Sequence, residues 1–184
     1  MRGFLTIIGL TFVSLHGATL EYLSLDDMAK KSTAIVRGRV QSCVGEFRGS
    51  VIYTHCKVAV TEQWKGASQS LVDVATPGGT AKGMAQNFSG SPKLLQGSEY
   101  VLFLWTGKSG MTQVIGLSQG VFDLKADVTG AAKGQAMAQR AATQERMLNA
   151  AGEVMSASPL EMRVRDLKAR VGKALASEPA GESQ

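Results

Sequence analysis

The sequence predicts a mainly β, α+β chain: a small barrel of five or six strands, a short N-terminal helix and an appended C-terminal helical segment. Three observations carry that expectation. Between residues 34 and 125, apolar residues recur at every second position in short runs broken by glycine. One run, EYVLFLWTG from 99 to 107, is apolar at both parities, so it needs cover on both faces. Past residue 158 the apolar period lengthens to that of a helix.

The chain opens with Met1-Arg2, then an uncharged apolar run from Phe4 to Leu15, then the small residues Gly17-Ala18. This is the three-part pattern of a secretory signal over residues 1–18, and the run is short for a bilayer span. A retained anchor and a buried N-terminal helix are the alternatives. The expected location is outside the cytoplasm, periplasmic or secreted. No later run is long and apolar enough to predict a transmembrane segment.

Ser24 is a good N-cap for LDDMAKK, with acids in the first turn and lysines in the last. AIVRGRVQSCV alternates, with Val36, Gly38, Val40 and Ser42 on one side and Arg37, Arg39 and Gln41 on the other. VIYTHCKVAVTEQW follows a turn at EFRGS and places Thr54, Cys56, Val58 and Val60 on one face, so the two runs read as a hairpin. The long strand ends in Trp64-Lys65-Gly66. Trp64 reads as an apolar plug at a barrel end rather than as a platform for a ligand. SLVDVATP is a third strand, stopped by Pro77-Gly78-Gly79. Residues 78 to 98 read as a long polar loop, a length that in a compact domain goes with function or disorder. MTQVIGL and GVFDLK read as a final hairpin after the EYVLFLW strand.

Cys43 and Cys56 form a disulfide, or one is a buried thiol and the other an exposed one. Export favours the bridge. Strand parity opposes it unless a bulge, for which Gly38 is the candidate, brings Cys43 into step. From 128 to 157 the composition turns to Ala, Gln and Met, read as a helical or partly ordered linker. Ser158-Pro159 then starts an amphipathic helix to 176 with the stripe Leu160, Val164, Leu167, Val171 and Leu175, supported by Glu161/Arg165 and Asp166/Arg170 pairs. That stripe packs on the sheet or, alternatively, lies on a membrane surface. Residues 177–184 read as a disordered tail.

The formal net charge of +5 is spread without a run of like charges, which argues against nucleic acid. Outside the leader His55 is the single histidine, and its parity puts it on the solvated face. The chain offers no triad, no Gly-x-Ser-x-Gly elbow and no zinc set, and the Gly-rich stretch from Gly78 to Gly83 lacks the Lys-Ser/Thr of a phosphate loop. No catalytic residue, metal or cofactor is expected.

The strand order, with a long loop before the EYVLFLW strand, is what an OB-like barrel offers. AIVRGRVQS, the Trp64-Lys65-Gly66 corner, VDVATPGG, LLQGSEYVLFL and SQGVFDL, in that order over residues 24–125, resemble the netrin-like OB-fold modules. These include the N-terminal domain of tissue inhibitors of metalloproteinases, and the layout is more similar still to uncharacterised exported bacterial proteins. The resemblance implies an OB-type barrel, and the family's multiple disulfides are missing here. The inhibitors chelate zinc through a mature N-terminal cysteine. Here no cysteine lies near residues 18–19, so no inhibitory residue carries over.

The reading is therefore an exported non-catalytic module that binds another envelope or secreted protein. The alternatives are a protease inhibitor of another geometry and an enzyme. Lys82, Met84, Asn87 and Phe88 in the 78–98 loop are the expected contact residues, with Phe88 either an exposed anchor or folded back onto the barrel.

Overall fold

The alternating runs pair into one large sheet, and two helices cover part of one face. The computed structural model describes residues 19–126, 135–143, 145–156 and 158–177. Residues 1–18, where a secretory signal is expected, the start of the Ala/Gln-rich segment and the residues past 177, expected to be a disordered tail, lie outside the described residues.

In chain order the elements are β1 (Thr19–Glu21), α1 (Leu25–Lys31), β2 (Ala34–Arg48), β3 (Val51–Lys65), β4 (Leu71–Pro77), β5 (Gly79–Ala81), β6 (Met84–Gln86), β7 (Glu99–Thr106), β8 (Thr112–Val114) and β9 (Val121–Ala126). Then come β10 (Ala136–Arg140), β11 (Arg146–Leu148), β12 (Val154–Met155), β13 (Leu160–Arg163) and α2 (Val164–Ala176). The large sheet runs β13-β10-β9-β7-β2-β3-β4-β8, and β8 also pairs with β7. The fold is mainly β. β1 lies outside that sheet, parallel to β11, and β5 and β6 form their own hairpin.

β7 is the pivot. Residues Tyr100 to Leu104 are each at most 2% exposed. Tyr100, Leu102 and Leu104 face one core with Val36, Val40, Cys56, Val58, Val72 and Val74. Val101 and Phe103 face a second core, which α1 and α2 close with Met28, Leu167 and Val171. The predicted two-sided burial holds, and the α2 stripe of Val164, Leu167 and Val171 packs inward as expected.

α1 begins with a complete capping box between Ser24 and Asp27. The Trp64-Lys65-Gly66 corner ties both helices to the sheet. Trp64 packs on the helical core, with the Lys168 ammonium of α2 5.9 Å from its ring centre. Lys65 Nζ donates to the carbonyls of Ala29 and Lys30 at 2.9 and 2.7 Å, capping the C-terminal end of α1. Gly66 has φ 86°, and a Cβ there would stand 2.7 Å from the Thr33 carbonyl.

The cysteines are bridged, and the bulge that allows it is not at Gly38. The register steps from Val40↔Val58 to Ser42↔Lys57, so Gln41 is extra on β2, and Cys43 falls directly opposite Cys56 with 4.1 Å between Cα atoms. The same insertion turns Ser42, expected inward, to the exposed side. Further shifts leave Thr61 and Trp64 extra on β3, opposite the Arg37–Gly38 and Ile35–Val36 steps.

Four other expectations are corrected. The 128–157 segment is not helical among the described residues. It supplies β10, held by pairing with β9 and β13 and by the full burial of Ala138, and β11 and β12, which pair with each other while β11 also pairs with β1; these pairings outweigh the helix propensity of Ala and Gln. The C-terminal helix starts at Val164, not Ser158, because Leu160–Arg163 is held as β13 against β10. The expected i,i+4 ion pairs give way to Arg170–Asp26 and Arg165–Asp166 contacts. MTQVIGL and GVFDLK do not pair with each other. Left-handed Gly116 and Leu117 (φ 62° and 55°) redirect the chain, so β8 and β9 both line β7.

One buried polar side chain holds the N-terminal segment down. Gln119, 2% exposed, accepts from the Leu23 amide at 3.0 Å and donates to the Glu21 carbonyl at 2.9 Å. Gln119→Leu should cost about 2–4 kcal/mol by orphaning both groups, and Leu23 amide exchange should accelerate before that of Val101. Replacing both cysteines by Ser should remove about 3 kcal/mol, a Tm drop of roughly 6–12 °C. A thermal melt in which the double variant matches the parent would show that the bridge braces nothing.

Candidate functional site

The β2–β3 arm is long enough that its far end projects past β7. Two features are built on that end. On the face continuous with the inner core, the β5–β6 hairpin is pinned across it. Gln86 Oε1 accepts from the Ile52 amide at 2.7 Å and Gln86 Nε2 donates to the Ser50 carbonyl at 2.8 Å. Thr54 Oγ1 donates to the Gly78 carbonyl at 2.7 Å. The hairpin reverses at Lys82-Gly83, both with positive φ (48° and 76°), as a two-residue turn requires.

This organises the residues expected to make contact. Lys82 occupies the turn and Met84, 57% exposed, sits beside it. Asn87 lines a cleft of about 220 Å³ with Thr54, Pro77 and Lys93. Phe88 is 39% exposed, and its ring lies 3.5 Å from where a Gly78 Cβ would stand, so it leans on the chain at Gly78 with one side open. The four do not converge on one pocket: Asn87 alone lines the cleft. The 78–98 segment is thus partly a hairpin rather than a featureless loop.

On the other side of the arm lies a groove of about 360 Å³, between the β2–β3 turn and the β7–β8 turn. Glu46, Phe47 and Arg48 form one wall, Ser109 to Thr112 the other, and His55, Asp73 and Ala75 the floor. Asp73 is the lone charge between Lys65 and Lys82. Its carboxylate takes the Lys57 ammonium at 2.7 Å and His55 Nδ1 at 3.2 Å. Partial burial opposes ionisation of Asp73, but the hydrogen bonds from Lys57 and His55 prevail and hold it below the usual carboxylate range. His55 is on the outer face, as its parity predicted, and no hydroxyl or thiol among the described residues hydrogen-bonds to its other nitrogen. The arrangement positions an imidazole and two carboxylates for recognition, without an activated nucleophile.

Arg48 and Glu46 have no ion pair with the described residues, whereas one group of charges nearer the helices is paired. There a ladder crosses four elements: Lys168–Glu62 at 2.7 Å, Glu62–Arg37 at 2.8 Å, Arg37–Glu99 at 2.7 Å and Glu99–Arg39 at 3.5 Å. Among the described residues no group of three or more His, Cys, Asp or Glu side chains is disposed to hold a metal. Among the described residues no helix is long and apolar enough to cross a membrane. The groove escaped the sequence reading because its residues come from four separated stretches. The available signal was the outward parity of Glu46, Arg48 and His55 together with solitary Asp73.

Comparison with protein-family models, with curated proteins and with solved structures returns no match for this chain.

The ladder sets an acid limb. Above all the Lys168 hydrogen bond, then those from Arg37 and Trp64, lower the Glu62 pKa from 4.5 to about 2 against the cost of burial. A depressed folded pKa contributes stability that is complete above the unfolded value and is lost as pH falls towards the folded one. Unfolding midpoints should therefore fall between about pH 5 and pH 2, and Glu62→Gln should flatten that limb while lowering stability at pH 7. Equal pH slopes for the variant and the parent would assign the acid limb to other groups.

Proposed function

We propose that this chain is an exported, non-catalytic binding module on an OB-like barrel, and that it takes a partner protein in the groove between the β2–β3 and β7–β8 turns. The barrel reading is supported by the circuit of neighbours β7–β2–β3–β4–β8, with β8 paired again to β7. Every pairing in it is antiparallel except β4–β8. In an OB barrel, the strand face and the turns that flank this groove are the usual binding surface. The netrin-like layout remains part of this proposal on the same grounds. Export is supported by the leader pattern and by the Cys43–Cys56 bridge, since such bonds persist in oxidising compartments.

The observation that carries the assignment is the groove itself. It is concave, floored by Ala75 with Phe47 and Met111 at its sides, and rimmed by charges of both signs, two of which have no ion-pair partner within the described fold. Mixed charge suits a protein surface and selects against a polyanion. The partner is another envelope or secreted protein, and neither nucleic acid nor a cofactor enters the reading.

Exchanging the wall charges (Glu46→Arg with Arg48→Glu) keeps the net charge and should abolish cross-linking of the partner captured by the parent chain. Removing the hairpin tip (Lys82→Gly with Met84→Ser) should leave it captured. The reverse pattern would return the contact to the 78–98 segment, and capture by both variants would end the groove assignment.

A further inference from the structure

The ladder between β3 and β4 has a definite hydrogen-bonding parity. The Val60 amide donates to the Ser70 carbonyl at 2.9 Å, and the Gly78 amide to the Ile52 carbonyl at 2.8 Å. The register between these points, Ala59↔Leu71 to Tyr53↔Pro77, is unbroken. The even-numbered residues of β4 therefore bond to β3, and Leu71, Asp73, Ala75 and Pro77 turn their main-chain groups the other way. On that side β8 meets β4 at the single pair Ala75↔Gln113. Pro77 has no N–H to offer. Leu71 and Asp73 thus present their N–H and C=O groups unpaired among the described residues. Asp73 opens into the groove, and the Leu71 side chain next to it is 46% exposed.

An unpaired strand edge is a template for another strand. We infer that the groove receives an extended polypeptide segment, which adds to β4 as a short strand at Leu71 and Asp73 and lays a side chain against Met111. The inference rests on the groove reading above and names its partner class. Three features favour a peptide as occupant. Main-chain donors and acceptors alternate along the edge, which neither a sugar nor a nucleic acid matches in register. The groove charges are of both signs, with Glu46 and Asp73 against Arg48. The free edge has two outward-bonding residues before β8 takes over, which suits a short segment. Two rungs fall well short of the roughly 1,200 Å² that a stable edge-to-edge dimer buries.

The test uses the purified full chain and a pool of random-sequence synthetic heptapeptides. The tightest binder is remade with N-methyl groups at alternate peptide nitrogens. In the free protein the Leu71 and Asp73 amides should exchange at least about tenfold faster than those of Val72 and Val74. The heptapeptide should slow them by a similar factor, and one of the two N-methyl registers should lose at least tenfold in affinity. Leu71→Pro removes an outward N–H without touching a bond to β3, so it should abolish binding and keep the melting temperature, while Leu71→Lys should bind. If Leu71→Pro does not fold, the exchange and N-methyl arms decide alone. Fast Leu71 and Asp73 exchange in a bound complex would overturn strand addition and leave the groove reading standing. Protection by the heptapeptide that persists after the Glu46/Arg48 exchange would keep strand addition and remove the groove walls from it. Protection already present in the free chain, dimerisation that produces it, or a pool with no binder would overturn the inference.

Discussion

A strand buried on both faces sets the rest of this structure. β7 carries five consecutive side chains out of water, and each stabilises the fold by about 1.5–3 kcal/mol only if both its sides are covered. One side packs against residues of β2, β3 and β4. The other needs separate cover, and α1 and α2 supply it from opposite ends of the chain. The chain therefore cannot end at the strands that surround the inner core. β9, β10 and β13 extend the sheet from the β7 edge, and the last of them delivers α2 onto the second core.

Covering one strand twice requires strong coiling of β2 and β3, and that coiling is concentrated at three extra residues. Gln41 on β2 and Thr61 and Trp64 on β3 each put two residues opposite one and raise the local twist. Each has a second consequence. Gln41 brings Cys43 opposite Cys56, which staples the arm beyond the core. Trp64 turns its ring toward α2, with Lys65 on the carbonyls of α1. The corner that ends β3 is thus where the strand layer and the helix layer are fastened together.

Much of this was legible in the residues. Alternation located β2, β3, β4 and β7, the double apolarity of EYVLFLW revealed its two covers, and Ser24 marked the start of α1. What was hidden has a common cause. A bulge is one residue of ordinary strand composition, so Gln41 leaves no mark, although the cysteine parity showed that a bridge would require an insertion. β10 to β13 are built from Ala, Gln, Met and Arg, whose local preference is helical. They become strands because β9 offers an edge to β10, β10 one to β13, and β1 one to β11, which in turn pairs with β12, and that information is not local. The groove is hidden more deeply, since Arg48, His55, Asp73 and Met111 become neighbours only after the arm has coiled.

The distribution of charge over the outer surface separates scaffold from site. Near the helices, Lys168, Glu62, Arg37, Glu99 and Arg39 alternate in sign across α2, β3, β2 and β7, so each carboxylate lies between two cations. Such a ladder neutralises itself and offers little to a partner. It also locks the helix layer to the strands, because Glu62 is held by both Lys168 of α2 and Arg37 of β2. Towards the end of the arm the pairing runs out. Asp73 satisfies Lys57 and His55, but Glu46 and Arg48 face the groove without an ion pair among the described residues. Next to them β4 leaves the main-chain groups of Leu71 and Asp73 unpaired among the described residues. Unmatched charge and an unmatched backbone thus coincide at one place. A self-contained domain would have closed both with its own residues, and their shared location is the physical reason for assigning recognition to this groove rather than to the ladder.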